Sequence, residues 1–263
     1  MPLLNSKAVI LHSQRWGEAD RIITGFSQRA GKIRAIAYGA RKLKSRFGGV
    51  LEPFNLIQLT LFERTPTSLA RVSQAELLES FSAIREHLHL MGQAARMATL
   101  VKAITADHDP NEALFQALVG GLRALTTTPD PQGVMLVFQI HVLDHAGFRP
   151  EMGSCTTCGS SLGTARGWFA PWSGGMICAQ CRHTQSGPCL SMAPGSIAFV
   201  NQAKRLPFPV VTRLRATGQV RREVEEALDA FIRTILGTPL PEIASWAAED
   251  EPRYALPVSS ARS

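Results

Sequence analysis

Four of the five cysteines form two pairs of identical spacing, Cys155-x2-Cys158 and Cys178-x2-Cys181. A Cys-x-x-Cys turn lets two thiolates approach one tetrahedral ion at about 2.3 Å, so two such turns can complete a four-sulfur zinc site of the ribbon or knuckle type. Gly153 and Gly159 permit tight turns, and Trp168 to Trp172 followed by Gly174 to Ile177 can form a small hairpin between the knuckles. Cys189 and His183 are substitute ligands, although the two pairs already fill the coordination sphere. Four unrelated thiols are the plain alternative, and two correctly spaced pairs argue against it. With no position left for water, one structural zinc per chain is expected, holding an insert too small to fold on its own core. An odd cysteine count arranged this way suits a reducing cytoplasm better than a disulfide framework.

A second constellation is electrostatic. Residues 21–51 contain Arg21, Arg29, Lys32, Arg34, Arg41, Lys42, Lys44 and Arg46 and not one Asp or Glu. The whole chain has 28 basic and 21 acidic residues, so this window holds essentially all of its net charge of +7. Such a concentrated field attracts a polyanion before any specific contact forms. A charge run is often only a solvated face. Here no carboxylate is interleaved, and Trp16, Tyr38 and Phe47 stand within or beside the run, where rings could stack on bases. Phe26, Phe54 and Phe62 are read as barrel core, a role also open to Tyr38. The densest stretch, Arg41 to Arg46, follows Gly39 and is expected to be a mobile loop gripping phosphates without reading bases.

Other chemistries find little support. There is no Gly-rich phosphate loop ending in Lys-Ser/Thr and no Gly-x-Ser-x-Gly elbow. Glu18, Asp20 and Glu52 could be imagined as a metal-dependent nuclease centre, but the first two are more simply turn or capping residues. His87 and His89 are expected to face apart on a helix. His141 and His145 have a metal-compatible spacing but are read as core or surface histidines. Arg213, Arg215, Arg221 and Arg222 are read mainly as a solvated helix surface.

These side chains need scaffolds. Strands are expected at Lys7–Gln14, Asp20–Phe26, Lys32–Tyr38, Phe54–Phe62 and Ser68–Val72, separated by turn residues that include Thr65-Pro66-Thr67. In the third, Ile33, Ala35 and Ala37 fall on one face and Lys32, Arg34, Ile36 and Tyr38 on the other. Five short strands predict a small closed barrel of the oligonucleotide-binding (OB) type. From about residue 81 the period becomes helical. One long helix carries Ile84, Leu88, Met91, Ala95, Ala98, Val101 and Thr105 on its stripe. A second spans Glu112 to about Leu125. A third, Pro131 to Ala146, is apolar nearly all round and so is expected to be buried on most sides. Helices follow at Pro194 to about Gln202 and Val220 to Leu236. The fold class is α+β: an OB barrel over 1–80, a helical domain over 81–150 and 190–237, a zinc insert over 151–189 and a loosely held tail over 238–263. No run of 18 apolar residues exists for a membrane span, and the first residues lack the pattern of a secretory signal.

Several segments together resemble the RecO family of bacterial recombination mediators. They are Gly17-Glu18-Ala19-Asp20-Arg21-Ile22-Ile23-Thr24, Gly31 to Ala37, Gly39-Ala40-Arg41-Lys42-Leu43-Lys44-Ser45-Arg46, Leu51-Glu52-Pro53-Phe54, and Leu143-Asp144-His145-Ala146-Gly147-Phe148-Arg149-Pro150 before Cys155. The likeness runs in order over residues 5–236. It implies an OB fold, a helical domain and an embedded zinc element. It also implies a non-enzymatic protein of the bacterial cytoplasm and nucleoid. Such a protein binds single- and double-stranded DNA, anneals complementary strands and helps load recombinase onto DNA coated by single-stranded-DNA-binding protein. Implied partners are RecR and the acidic, hydrophobic C-terminal tail of the single-strand binder. The matched DNA-contact positions are Lys32, Arg34, Arg41, Lys42, Lys44 and Arg46. The runner-up expectation is an OB and zinc-ribbon factor acting on RNA in translation or transcription.

Overall fold

The alternation in residues 31–37 has a direct structural counterpart, with Ile33, Ala35 and Ala37 buried and Arg34 exposed. The computed structural model describes residues 3–62, 69–162, 166–184, 187–211 and 214–240. The turn expected at 65–67, Arg213 and most of the expected tail lie outside these. Strands β1 (Leu3–Trp16), β2 (Asp20–Ser27), β3 (Gly31–Ala37), β4 (Leu56–Phe62) and β5 (Ala70–Glu79) close a barrel in the order β1-β2-β3-β5-β4. Only the β3–β5 pair is parallel. β5 extends seven residues beyond the expected Val72. Gln74, Glu76, Leu77 and Leu78 are all exposed there, so this half of the strand lacks the apolar alternation that marks a strand by eye.

The barrel interior is filled by Ala8, Ile10, Ile23, Ile33, Ala35, Ala37, Ile57, Leu59, Leu61 and Val72. Phe26 and Phe54 are fully buried but not there. Together with Val9, Leu11 and Leu56 they belong to the core of the helices, so one outer face of the barrel is itself an internal packing surface. This corrects their assignment to the barrel core; Phe62 is only half-buried. Burial of such side chains contributes about 1.5–3 kcal/mol each, which ties the barrel firmly to the helices.

Helices α1 (Ser82–Glu86) and α2 (Leu88–Ile104) replace the single long helix. The break falls at His87, whose extended backbone turns Leu88 out into solvent and brings the His87 and His89 rings to 5.8 Å. They do not face apart as expected. α3 (Glu112–Thr127) is capped by Asn111, whose side chain accepts from the Leu114 N–H at 2.9 Å. α4 (Pro131–His145) has Asp130 as its cap and Pro131 in its first turn. Every residue from Val134 to Leu143 is buried, which makes α4 the central helix.

β6 (Gly167–Ala170) and β7 (Gly175–Ile177) form the hairpin expected between the cysteine pairs, and β8 (Leu190–Met192) joins β6 on its other side. Cys178 immediately precedes the short α5 (Ala179–Thr184), which carries Cys181. α6 (Pro194–Arg205), α7 (Phe208–Val211) and α8 (Gly218–Leu236) complete the helical core. The cysteine element is docked onto that core, not appended: Phe169 meets Phe231 of α8 edge to face at 5.7 Å.

Candidate nucleic-acid interface and metal centre

Strand register fixes what the outer face of β1, β2 and β3 presents. One row across the strands is Val9, Phe26 and Lys32, the row covered by the helices. The next is His12, Thr24 and Arg34, and beyond it lie Gln14, Ile22 and Ile36, with Arg71 of β5 beside Ile36. Past the end of β3 comes Tyr38, half-exposed, with the Arg71 guanidinium over its ring at 5.1 Å. Trp16 closes the same face at the end of β1 and is 39% exposed.

The chain from Gly39 to Asn55 is not the loose loop expected of so basic a stretch. It is a string of tight turns, with Lys42 N–H donating to the Gly39 carbonyl, Ser45 N–H to that of Lys42, and Val50 N–H to that of Phe47. Ala40, Phe47 and Leu51 enter the barrel interior and stopper its end. Phe47 is therefore unavailable for stacking on a base. Its own ring carries the Arg46 guanidinium at 4.7 Å. The other end of the segment is tied to the β1–β2 turn: Gly39 N–H donates to Asp20 Oδ1 at 2.7 Å, and Arg41 N–H to the Ala19 carbonyl at 2.8 Å.

These ties sort the six matched cations. Arg34, Lys42 and Lys44 are exposed and make no side-chain hydrogen bond or ion pair among the described residues. Arg41 is exposed but donates to the carbonyls of Gly17 and Glu18 at 3.1 and 3.0 Å. Arg46 donates to the Val72 carbonyl at 3.3 Å. Lys32 is the most committed: its ammonium donates to the carbonyls of Lys102 and Thr105 and pairs with Asp107 at 3.3 Å. Arg71 joins the face from outside the basic window. Only the parallel pairing of β5 with β3 brings it there, and its single sequence signal is its place between apolar Ala70 and Val72.

The three carboxylates of the nuclease alternative are separately engaged or apart. Asp20 holds Gly39, Glu52 pairs with Arg21 at 3.1 Å, and Glu18 is exposed on its turn. Arg215 and Arg221 both pair with Asp130, so these two fasten α8 and the residues just before it to the start of α4.

At the cysteine element, the four sulfurs of Cys155, Cys158, Cys178 and Cys181 lie within 4.8 Å of one another. A tetrahedron of sulfurs about 2.3 Å from a central ion has edges of about 3.8 Å, and Cys158 and Cys178 are 3.8 Å apart. The first knuckle is a turn in which Gly159 N–H donates to the Cys155 carbonyl at 2.8 Å, with Gly159 in the left-handed region. In the second, Cys181 N–H donates to Cys178 Sγ. Burial pushes the Cys155 thiol up, but N–H groups of Cys178, Cys158 and Thr157 outweigh it and bring it down to about 6. Burial and the neighbouring thiols push Cys181 up to about 12. Four sulfurs so close cannot all ionise without a shared cation, and the set fits a metal ion. Cys189 and His183 fall outside the cluster.

Comparison with known proteins agrees over most of the chain. A family model described as Recombination protein O N terminal matches residues 1–81, and one described as Recombination protein O C terminal matches residues 85–242. The DNA repair protein RecO of Anaeromyxobacter sp. (strain K) is 32% identical over 232 residues, 88% of this chain and 91% of the relative. That of Myxococcus xanthus is 32% identical over 247 residues, 92% of this chain and 96% of the relative. That of Heliobacterium modesticaldum is 34% identical over 237 residues, 89% of this chain and 85% of the relative.

Proposed function

Since the chain belongs to the RecO family of DNA repair proteins, we propose that it acts without bond chemistry, holding DNA strands on the outer barrel face so that complementary segments pair. The observation that carries this is the set of exposed cations Arg34, Lys42 and Lys44, without a side-chain partner among the described residues, on the barrel face that also carries the exposed rings of Trp16 and Tyr38. Arg34 to Tyr38 spans roughly 13 Å at ~3.3 Å per residue, and the turns carrying Lys42 and Lys44 begin at the next residue. Phosphates tracked along this path would be neutralised from one side, while rings stack on bases without regard to sequence. Neutralisation lowers the repulsion between two strands, which is what annealing needs.

Lys32 adds to the field here and contributes no free donor. Arg41 and Arg46 offer the donors left over from their backbone contacts, and Arg71 extends the set. Zinc bound by Cys155, Cys158, Cys178 and Cys181 would cross-link the two knuckles and leave no site for substrate. Loading of recombinase, and engagement of RecR and of the single-strand binder's tail, complete the activity that family membership suggests.

The test is strand annealing and salt-dependent binding with the full chain. With about four to six phosphate contacts, log affinity against log salt should slope at roughly −3 to −4, at about 0.7 per contact on single strands. Replacing Arg34, Lys42 and Lys44 together by Ala should flatten that slope by about 2 and slow annealing. An unaltered slope would place the DNA elsewhere.

A further inference from the structure

Leu43 stands at the second position of the turn closed by Ser45 N–H donating to the Lys42 carbonyl at 2.9 Å. Its side chain is fully exposed, whereas the next most exposed large hydrophobic among the described residues, Leu88, is at 69%. Lys42 and Lys44 flank it, both exposed and unpaired among the described residues. The turn is braced on both sides. Arg41 fastens one side to the β1–β2 turn and Phe47 is sunk in the barrel on the other. Single exposed leucines are ordinary on a surface. This one is held out by a braced turn between two cations, and contributes nothing to packing.

We propose that Leu43 is an apolar wedge that enters between stacked bases at a junction of single- and double-stranded DNA. Lys42 and Lys44 hold the phosphates on either side. The inference rests on the DNA-binding role proposed for the outer barrel face. Apolar side chains inserted at a base step unstack it in part, and flanking cations supply the sequence-independent anchoring that lets a single leucine be placed there. The leucine thereby biases the protein toward steps that already open easily, such as a junction or a mismatch.

The experiment uses the full chain and a partial duplex with 2-aminopurine at the junction. Wild type should raise the fluorescence as the base unstacks, Leu43→Ala should cut that rise about threefold, and Leu43→Phe should restore it. Leu43→Ala removes no charge, so its salt slope should match wild type. An undiminished rise with Leu43→Ala, or no rise with wild type, overturns the wedge alone. Undiminished DNA affinity in Lys42→Ala/Lys44→Ala would instead sink the DNA site itself. Vesicles of phosphatidylglycerol form the control arm. If Leu43→Ala abolishes vesicle binding while leaving the fluorescence rise intact, the tip is a membrane contact and the wedge is overturned.

Discussion

The Lys32 ammonium donates to the Thr105 carbonyl at 2.6 Å, across 73 residues of sequence. It also meets the Lys102 carbonyl, so a cation from β3 caps the negative end of α2. His108 N–H donates to the Lys32 carbonyl in return, and a Cβ on Gly31 would lie 2.0 Å from the Asp109 carbonyl oxygen. The loop after α2 is thus seated directly on the β2–β3 turn.

Lys32→Met should therefore act on stability. Losing charged hydrogen bonds in a half-buried site should cost about 1.5–3 kcal/mol, read as a lower denaturant midpoint. The salt slope for DNA should stay near wild type. A slope reduced as much as in Arg34→Ala would mean that the ammonium leaves α2 to bind phosphate.

Phe47→Ala removes the stopper of the barrel. A fully buried Phe truncated to Ala costs about 3–5 kcal/mol. DNA affinity should fall as well, because the turns that present Lys42 and Lys44 lose their anchor. Chemical denaturation with parallel DNA titration checks both. Undisturbed stability would show that the stopper is dispensable.

His141 lies buried in α4, its Nε2 without a hydrogen-bond partner among the described residues and its ring 5.6 Å from that of His145. Burial first, then His145, lowers its pKa below the ordinary 6.5, against smaller opposing effects from the Ala203 backbone and Asp144. The unfolded chain then takes up the proton before the folded one. Stability should be full above about pH 7.5 and fall as pH drops through 6.5 toward the folded value. Thermal melts of wild type and His141→Leu at pH 7.5 and 5.5 test this, since the variant should lose that part of the pH dependence. Equal pH dependence in the two proteins would exonerate His141.

Zinc analysis of protein purified without chelator should give about one ion per chain. Cys158→Ser should lose it and open β6, β7 and α5 to hydrogen exchange, whereas Cys189→Ser should keep it. Because Phe169 and Met176 belong to the main core, metal loss should also lower the melting temperature of the helices. Metal-free protein with an unchanged melt would end the zinc assignment.

Much of this was decided by local pattern. Two Cys-x-x-Cys turns close on one point because each turn's geometry is set within four residues. Alternation put Ile33, Ala35 and Ala37 on the barrel side of β3, and apolar residues nearly all round made α4 central. Tertiary structure alone decided which cations are engaged, because the partners of Lys32 lie at the end of α2 and just beyond it and that of Arg46 in β5. It likewise placed Phe26 and Phe54 outside the barrel, since a strand's two faces look alike in sequence when both are covered. A charge run gives the sign of a field. The carbonyls that each charge meets are supplied by segments far away in the chain, and only folding brings them within reach.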